Sequence, residues 1–234
     1  MFKRLLSCVI VLLLLVICSF ADLDNSDDVE VVSGLNRDFV IIIDAGHGGF
    51  DGGAVAFDGT LEKDLNLSIA NKMDDCLSIL GYKTVLVRSD DSATNNPDDK
   101  GVSAKVSDIK NRVALMKKYA DSVFVSIHMN KYSTTQPHGA QVFYSAFDKS
   151  KELAQLLQVS VAERVQPDNK RVIKPAGNNI YLLKHATVPS VIVECGFMSN
   201  HDELKKLKTT DYQTEIAIAL ALGVVEYVNT IKGL

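Results

Sequence analysis

Short apolar strands alternate with amphipathic helices over most of this 234-residue chain. The predicted strands are apolar on both faces, which is typical of strands buried between two layers of helices. The sequence contains no internal repeat and no sign of a second domain. It therefore predicts an α/β fold in which a mostly parallel, twisted sheet is flanked by helices on both faces. The predicted strands span residues 39–44, 83–88, 122–127, 139–144 and 190–193, and the predicted helices span residues 61–80, 106–116, 149–165, 201–207 and 212–231.

The N-terminus has the layout of a secretory signal. Two basic residues, Lys3 and Arg4, precede an apolar run at residues 5–20, and small residues lie at the spacing that a signal peptidase needs. Residues 1–21 are therefore predicted to be a signal peptide. An uncleaved N-terminal membrane anchor is the alternative, although the apolar run falls short of the roughly 18 to 20 residues that span a bilayer comfortably.

The next segment, residues 22–37, is acidic and short of large apolar side chains, and we expect it to link the N-terminus to one domain at residues 38–234. Both interpretations of the N-terminus place that domain outside the cytoplasm. Removal of residues 1–21 takes away two basic side chains and leaves 23 basic and 29 acidic residues, a net charge of -6. An acidic chain without a basic stripe argues against nucleic acid as a partner. Only two cysteines remain, so a disulfide framework is not indicated.

Three predicted strands are each followed at the carboxyl end by a side chain that binds metals or carries protons. His47, His128 and Glu194 occupy these positions, and His47 lies in a glycine-rich turn. Glu62 lies in the first turn of the next helix, for which Thr60 is the predicted N-cap. In an open parallel sheet, ligand sites form outside the carboxyl ends of the strands. We therefore expect His47, Glu62, His128 and Glu194 to converge at one edge of the sheet.

Each of these residues also has an ordinary structural interpretation. Glu62 could complement the positive end of its helix dipole. His128 could be a satisfied buried histidine, and Glu194 could be a salt-bridge partner. These separate interpretations do not explain why all four polar residues fall at the same edge of the sheet.

Two histidines and one glutamate form a familiar tetrahedral zinc set in which water takes the fourth position. A second glutamate that is not needed as a ligand is then a natural proton carrier. Bound zinc lowers the pKa of its water to about 7, which makes a nucleophile available at neutral pH. The compact HExxH arrangement, with both histidines on one helix, is absent from the sequence. The residues alone therefore predict a zinc hydrolase that acts on an unactivated carbonyl such as an amide.

Four segments carry a more specific signal. In chain order, IIIDAGHGGFDGGA, LEKDLNLSIA, VFVSIHMN and VIVECGFMSN resemble the four signature blocks of the zinc-dependent N-acetylmuramoyl-L-alanine amidases of the Amidase_3 type. The resemblance implies that His47, Glu62 and His128 bind one Zn²⁺ and that Glu194 is the catalytic glutamate. It also implies that the substrate is the peptidoglycan glycan strand with its stem peptide, cut at the amide between the lactyl group of N-acetylmuramic acid and L-alanine.

Within this family the chain is most similar to the CwlD amidases of spore-forming bacteria. The resemblance rests on the short N-terminal tether, the absence of a cell-wall-binding module in the sequence and the segment NIYLLKHATVPSVIVECGF. It implies removal of stem peptides from spore cortex on the way to muramic-δ-lactam, in the space between forespore and mother cell. Cys195 departs from the aliphatic or small residue that is usual after the catalytic glutamate, and we expect it to alter packing without removing the chemistry.

The site is expected to be open. Some relatives carry a long helical insertion before the final strand that plugs the zinc site, and the spacing in this chain leaves no room for it. Control of the activity would then come from location, timing or a regulatory protein partner in the envelope.

Four polar residues are candidate contacts to the glycan or the peptide: Arg112, Asn130, Asn178 and Asn179. The remaining histidines are expected to lie outside the metal site: His138, His185 and His201. Two other functions stay open from the sequence. The first is a non-catalytic peptidoglycan-binding protein that keeps the fold for docking, and the second is a zinc peptidase that acts on the stem peptide.

Overall fold

The computed structural model describes residues 39–233, so the predicted signal peptide and the predicted linker lie outside the described residues. The strands are β1 (Val40–Ala45), β2 (Lys83–Leu86), β3 (Ser122–Asn130), β4 (Gln141–Tyr144), β5 (Lys174–Pro175) and β6 (Ser190–Phe197). The helices are α1 (Glu62–Ile79), α2 (Ala104–Lys118), α3 (Ser150–Arg164), α4 (Tyr181–Lys184), α5 (His201–Leu207) and α6 (Thr210–Lys232).

The strands form one six-stranded sheet in the order β2-β1-β3-β6-β4-β5. β2, β1, β3 and β6 are parallel, whereas β4 runs antiparallel to β6 and β5 runs parallel to β4. The predicted α/β fold with a mostly parallel sheet is therefore confirmed. Because β1, β3 and β6 are parallel and adjacent, their carboxyl ends meet at one edge of the sheet.

The hydrophobic core has two parts, one on each face of the sheet. In β1, the side chains of Ile41 and Ile43 join a large cluster with α1, α3 and α6, and those of Val40 and Ile42 join a smaller cluster with α2 and α4. This alternation is the period of two that a strand requires. Because both faces are covered, β1 is buried along its whole length. Cys195 is fully buried in the large cluster, as a small apolar side chain would be.

Helix α6 belongs to this core. Within residues 39–233 it is the helix that is long and apolar enough to cross a membrane, but half of its apolar window is buried inside the domain. Its buried face packs against α1 and α3. Its length and apolar composition are therefore explained by its place in the core of the domain.

The prediction of Thr60 as the N-cap of the first helix was wrong. Leu61 occupies the N-cap position and makes no side-chain capping bond. The Thr60 hydroxyl instead donates to Asp58 Oδ1 at 2.7 Å. Glu62 is nevertheless the first residue of α1, which keeps it at the edge where β1 ends.

Candidate metal centre

The four predicted site residues lie at one edge of the sheet, at or near the ends of β1, β3, β6 and α1. His47 lies two residues beyond the end of β1, and Glu62 opens α1. His128 on β3 is the register partner of Glu194 on β6. Ligand atoms of His47, Glu62 and His128 all lie within 4.8 Å of one another. The structure therefore brings the dispersed residues into one cluster.

The Glu62 carboxylate is the centre of this cluster. Its Oε2 lies 3.2 Å from His47 Nε2, and its Oε1 lies 2.9 Å from His128 Nδ1. The backbone amide of Ala54 donates to Oε2 at 2.8 Å, and that of Met129 donates to Oε1 at 3.1 Å. Each oxygen therefore has one backbone amide donor and one imidazole neighbour, so the carboxylate has a fixed orientation.

The electrostatics of the cluster favour positive charge beside Glu62. Burial raises the pKa of Glu62, but the hydrogen bonds and charges of His128 and His47 outweigh burial and hold that pKa far below its usual range. Burial lowers the pKa of His47, but hydrogen bonds and charges from Glu62 and Asp51 outweigh it, and the net direction is upward. Glu62 is therefore ionised. Two imidazole nitrogens and a buried carboxylate form a donor set that fits a divalent cation of borderline softness.

Asp51 is a member of the site that sequence reasoning missed. Its Oδ2 lies 3.0 Å from His47 Nδ1 and 3.0 Å from Lys105 Nζ. Burial raises the pKa of Asp51, but the hydrogen bonds from His47 and Lys105 lower it to about 2. A carboxylate on one ring nitrogen fixes the tautomer and aims the other nitrogen at a metal. The sequence signal for this contact is that an aspartate follows His47 four residues later in the same glycine-rich turn.

The glycines of the turn make room for this arrangement. A Cβ on Gly46 would lie 2.2 Å from the ring of His128, and a Cβ on Gly53 would lie 2.6 Å from Glu62 Oε2. His47 itself has a left-handed backbone with φ of 63°, which is strained for a residue with a Cβ. The ring of His128 and the carboxylate of Glu62 thus occupy space that only glycine leaves free.

Arg112 stabilises the strained turn through hydrogen bonds to its backbone. Its Nη2 donates to the carbonyl of His47 at 2.6 Å, and its Nη1 donates to the carbonyl of Ala45 at 3.0 Å. The same guanidinium pairs with the buried Asp44 and with Asp108. Arg112 is only 4% exposed, so acceptors within the protein occupy its donors. This arrangement makes Arg112 a support for the His47 turn. Arg112 also lines the cleft beside the centre, and its contact to substrate stays a prediction.

Glu194 adds an ionisable group without a partner. The residue is half-buried, and its Oε2 is shielded from solvent and makes no hydrogen bond to any described residue. Burial raises its pKa, the charge of His128 opposes this effect and the charge of Glu62 adds to it, so the pKa lies above its usual value. A buried polar atom without a partner, next to a cluster of metal-binding side chains, is typical of a catalytic site.

A cleft of about 220 Å³ opens beside the centre. Both histidines of the centre line it, and so do charged side chains and an apolar wall from α2 and α4: His47, His128, Asp51, Lys105, Asp108, Ile109, Ile180 and Leu182. We call this space the charged cleft. No described helix plugs it. The side chains of the candidate centre are therefore accessible from this cleft.

The other predicted substrate contacts fall at different places. Asn179 lines the charged cleft, and Asn178 is exposed in the same loop. Asn130 ends β3, and its carbonyl accepts a hydrogen bond from the amide of Met198 at 2.8 Å. Of the three asparagines, Asn179 is the one that faces the centre's own cleft.

The fold and the site define the class of protein: a single α/β domain with a candidate metal centre at the carboxyl edge of a mostly parallel sheet. Comparison with known families narrows this class. Residues 41–226 match the family model described as N-acetylmuramoyl-L-alanine amidase, and the chain belongs to this Amidase_3 family. The family predicted from the four sequence segments is confirmed, and peptidoglycan is the substrate that the family implies.

Individual relatives agree with this assignment. The germination-specific N-acetylmuramoyl-L-alanine amidase of Bacillus subtilis (strain 168) is 31% identical over 190 residues, which cover 80% of this chain and 79% of the relative. The solved CwlD amidase from Clostridioides difficile, in complex with the GerS lipoprotein, is 38% identical with a TM-score of 0.77, and the match covers 82% of this chain and 98% of that one. An N-acetylmuramoyl-L-alanine amidase from Clostridium difficile 630 is 31% identical with a TM-score of 0.72 over the same shares.

Proposed function

We propose that this amidase is zinc-dependent and that it removes stem peptides from spore-cortex peptidoglycan. The observation that carries the metal assignment is the Glu62 carboxylate held between His47 and His128, with all three ligand atoms within 4.8 Å of one another. These three residues would hold the ion. When bound, zinc would polarise the scissile carbonyl and lower the pKa of a water molecule.

Glu194 is the proton carrier of the proposed reaction. Its unpartnered Oε2 is free to accept the proton of the water that attacks the carbonyl carbon. The raised pKa of Glu194 helps the same carboxyl to return that proton to the alanine nitrogen as the C–N bond breaks. One carboxyl group therefore acts first as base and then as acid.

The remaining side chains keep the histidines in position. Asp51 accepts from His47 Nδ1, so Nε2 stays aimed at Glu62. Arg112 binds the carbonyls on both sides of the strained turn, at Ala45 and His47. These contacts pre-organise the site, and a pre-organised site spends less binding energy on ordering itself.

The proposed role in spores is inferred from two similar proteins. One relative is named a germination-specific amidase, and one similar structure is a CwlD amidase bound to a lipoprotein. By extension, this chain acts in the space between forespore and mother cell after export, directed by its N-terminal segment as a signal peptide or anchor. A protein of the envelope is its regulatory partner.

The test is incubation of the purified protein with muropeptides, with and without a chelator, followed by product analysis and metal analysis. Free muramoyl ends together with intact stem peptides, lost on chelation and restored by Zn²⁺, are the expected result. Shortened peptides would identify a peptidase instead. Binding to muropeptides without any product would identify a non-catalytic peptidoglycan-binding protein.

A further inference from the structure

A second cleft, of about 250 Å³, lies at the same edge of the sheet and continues from the segments that hold Glu62. One wall begins at Val55, directly after Ala54, whose amide binds Glu62 Oε2. A second wall begins at Lys131, two residues after Met129, whose amide binds the other oxygen. We call this space the aromatic cleft, and it is lined by residues 55–57, 131–135, 198–199 and 201.

Two aromatic rings stand exposed at the aromatic cleft. Phe57 is 66% exposed and Tyr132 is 59% exposed. One face of Phe57 stacks on the ring of His201, with the centroids 4.1 Å apart and the planes 15° from parallel. Because the side chain is still two-thirds exposed, its other face is open to solvent. Exposed aromatic rings that are grouped around one concavity are typical of a binding site, whereas single scattered ones are ordinary.

The walls of the aromatic cleft are already fixed. Lys131 Nζ donates to the carbonyl of Val55 at 2.9 Å, which joins the two walls. The amide of Tyr132 donates to Ser199 Oγ at 3.1 Å, which joins the second wall to the segment after β6. Because the loops of the cleft are already ordered, little binding free energy is lost to ordering them when a ligand enters.

The two clefts differ in charge. The charged cleft is lined by three carboxylates and two cations: Asp44, Asp51, Asp108, Lys105 and Arg112. Among the described residues that line the aromatic cleft there is no carboxylate, and its one amine, on Lys131, is bound to a backbone carbonyl. Its remaining polar groups are mainly hydroxyls: Ser133, Thr134, Thr135 and Ser199.

This contrast matches the two halves of the substrate. A stem peptide carries ionised groups, and these suit a cleft that is lined by charged side chains of both signs. A sugar ring is neutral, offers hydroxyls around its rim and presents a face of C–H groups, and such a ring suits aromatic faces bordered by hydroxyls. The aromatic cleft therefore has the chemistry of a glycan subsite.

We infer that the aromatic cleft binds a sugar of the glycan strand next to the scissile lactyl amide, with Phe57 and Tyr132 against the faces of the ring. The inference rests on the proposed amidase function and adds the position of the glycan to it. The stem peptide then leaves the centre on the side of the charged cleft.

Binding is tested with a peptide-free oligosaccharide of alternating N-acetylglucosamine and N-acetylmuramic acid. This probe has no scissile amide, so calorimetry on the purified protein measures its affinity without turnover. Phe57→Ala and Tyr132→Ala should each weaken binding about tenfold, and Phe57→Tyr should retain it. The matched control is Phe147→Ala, because Phe147 is 41% exposed and lies beyond β4 at the opposite edge of the sheet.

A kinetic comparison separates the subsite from the catalytic assignment. Phe57→Ala should lower kcat/KM about tenfold on a disaccharide-peptide and leave it unchanged on an N-lactoyl-peptide without sugar. Equal losses on both substrates, or unchanged oligosaccharide affinity in Phe57→Ala and Tyr132→Ala, would overturn the glycan subsite while the amidase function stands. Failure of the wild type to cleave either substrate, with aromatic-dependent binding of the oligosaccharide, would overturn the amidase and leave the sugar site in place.

Discussion

Asp51 Oδ2 and His47 Nδ1 lie 3.0 Å apart, while the other nitrogen of the same imidazole, Nε2, lies 3.2 Å from Glu62 Oε2. The ring is therefore held between two carboxylates with opposite tasks. Asp51 fixes the tautomer of His47, and Glu62 is the neighbouring ligand of the proposed metal ion. Outer carboxylates of this kind typically contribute about 10- to 100-fold in metal affinity.

Asp51→Asn tests this relationship. The variant keeps an acceptor at the same place but removes its charge, so the dissociation constant for Zn²⁺ should rise about 10- to 100-fold. Titration against a chromophoric chelator measures this constant. Lys105→Met is the matched control, because Lys105 contacts the same oxygen at 3.0 Å from a largely exposed position, and it should change the affinity less than about fivefold. Equal losses in both variants would contradict the role of Asp51.

Glu194→Gln separates chemistry from metal binding. The amide resembles the carboxyl in shape but carries no proton between water and leaving group, so kcat should fall about 10²- to 10⁴-fold. Metal analysis should find the same zinc content as in the wild type. Glu163→Gln, at an exposed position on α3, is the control with unchanged rate. Near-normal turnover by zinc-loaded Glu194→Gln would remove Glu194 from the mechanism.

The ligand assignment is tested by His47→Ala and His128→Ala. Each variant removes one of two imidazoles around Glu62, so purified protein should contain less than about a tenth of the wild-type zinc. His138→Ala is the control, because His138 is exposed in a loop and should leave the zinc content unchanged. Full zinc content in either ligand variant would end the assignment for that residue.

The sequence predicts the sheet and the convergence of the four site residues because both follow from short-range patterns. Apolar runs mark the strands, and the carboxyl-edge rule places His47, His128 and Glu194 together. Arg112 is different, because an arginine on a helix is usually exposed and its partner Asp44 is 68 residues away in the chain. Only the packed structure shows that the two meet.

The predicted Thr60 cap failed for a related reason. A threonine just before a helix is a good N-cap by type, but its hydroxyl is used by Asp58 within the same turn. The position of a cap depends on the path of the preceding loop. In this chain, the Val55–Leu61 bridge and the glycines of the turn set that path, and residue type does not reveal it.

Arg112→Met should be strongly destabilising. The substitution leaves Asp44 buried, at 1% exposure, without its cationic partner, and breaking a buried pair in this way costs about 3 to 5 kcal/mol. Urea unfolding of the metal-free protein measures the loss of unfolding free energy. Arg164→Met, at an exposed position on α3, is the control and should stay within about 0.5 kcal/mol. A loss no larger than that of the control would show that Asp44 and Arg112 are not coupled.

Tyr227→Phe should stabilise the protein and reduce the loss of unfolding free energy at high pH. Tyr227 is 1% exposed, and its hydroxyl is buried without a partner among the described residues, so its removal should raise the free energy of unfolding by about 1 kcal/mol at pH 8. Burial, assisted by the charges of Glu152 and Asp148, raises the pKa of this phenol to about 12, whereas an unfolded tyrosine has a pKa of about 10.

Because the folded pKa of Tyr227 is the higher one, the unfolded chain releases the proton first as the pH rises. The contribution of Tyr227 is therefore complete below about pH 10 and is lost as the pH rises through about 12. By pH 11 the wild type should have lost about 1.4 kcal/mol more than Tyr227→Phe. Urea unfolding at pH 8 and pH 11 measures both effects, with Tyr132→Phe at an exposed phenol as the control. Parallel stability curves for wild type and Tyr227→Phe would mean that the phenol at position 227 reaches solvent in the folded protein.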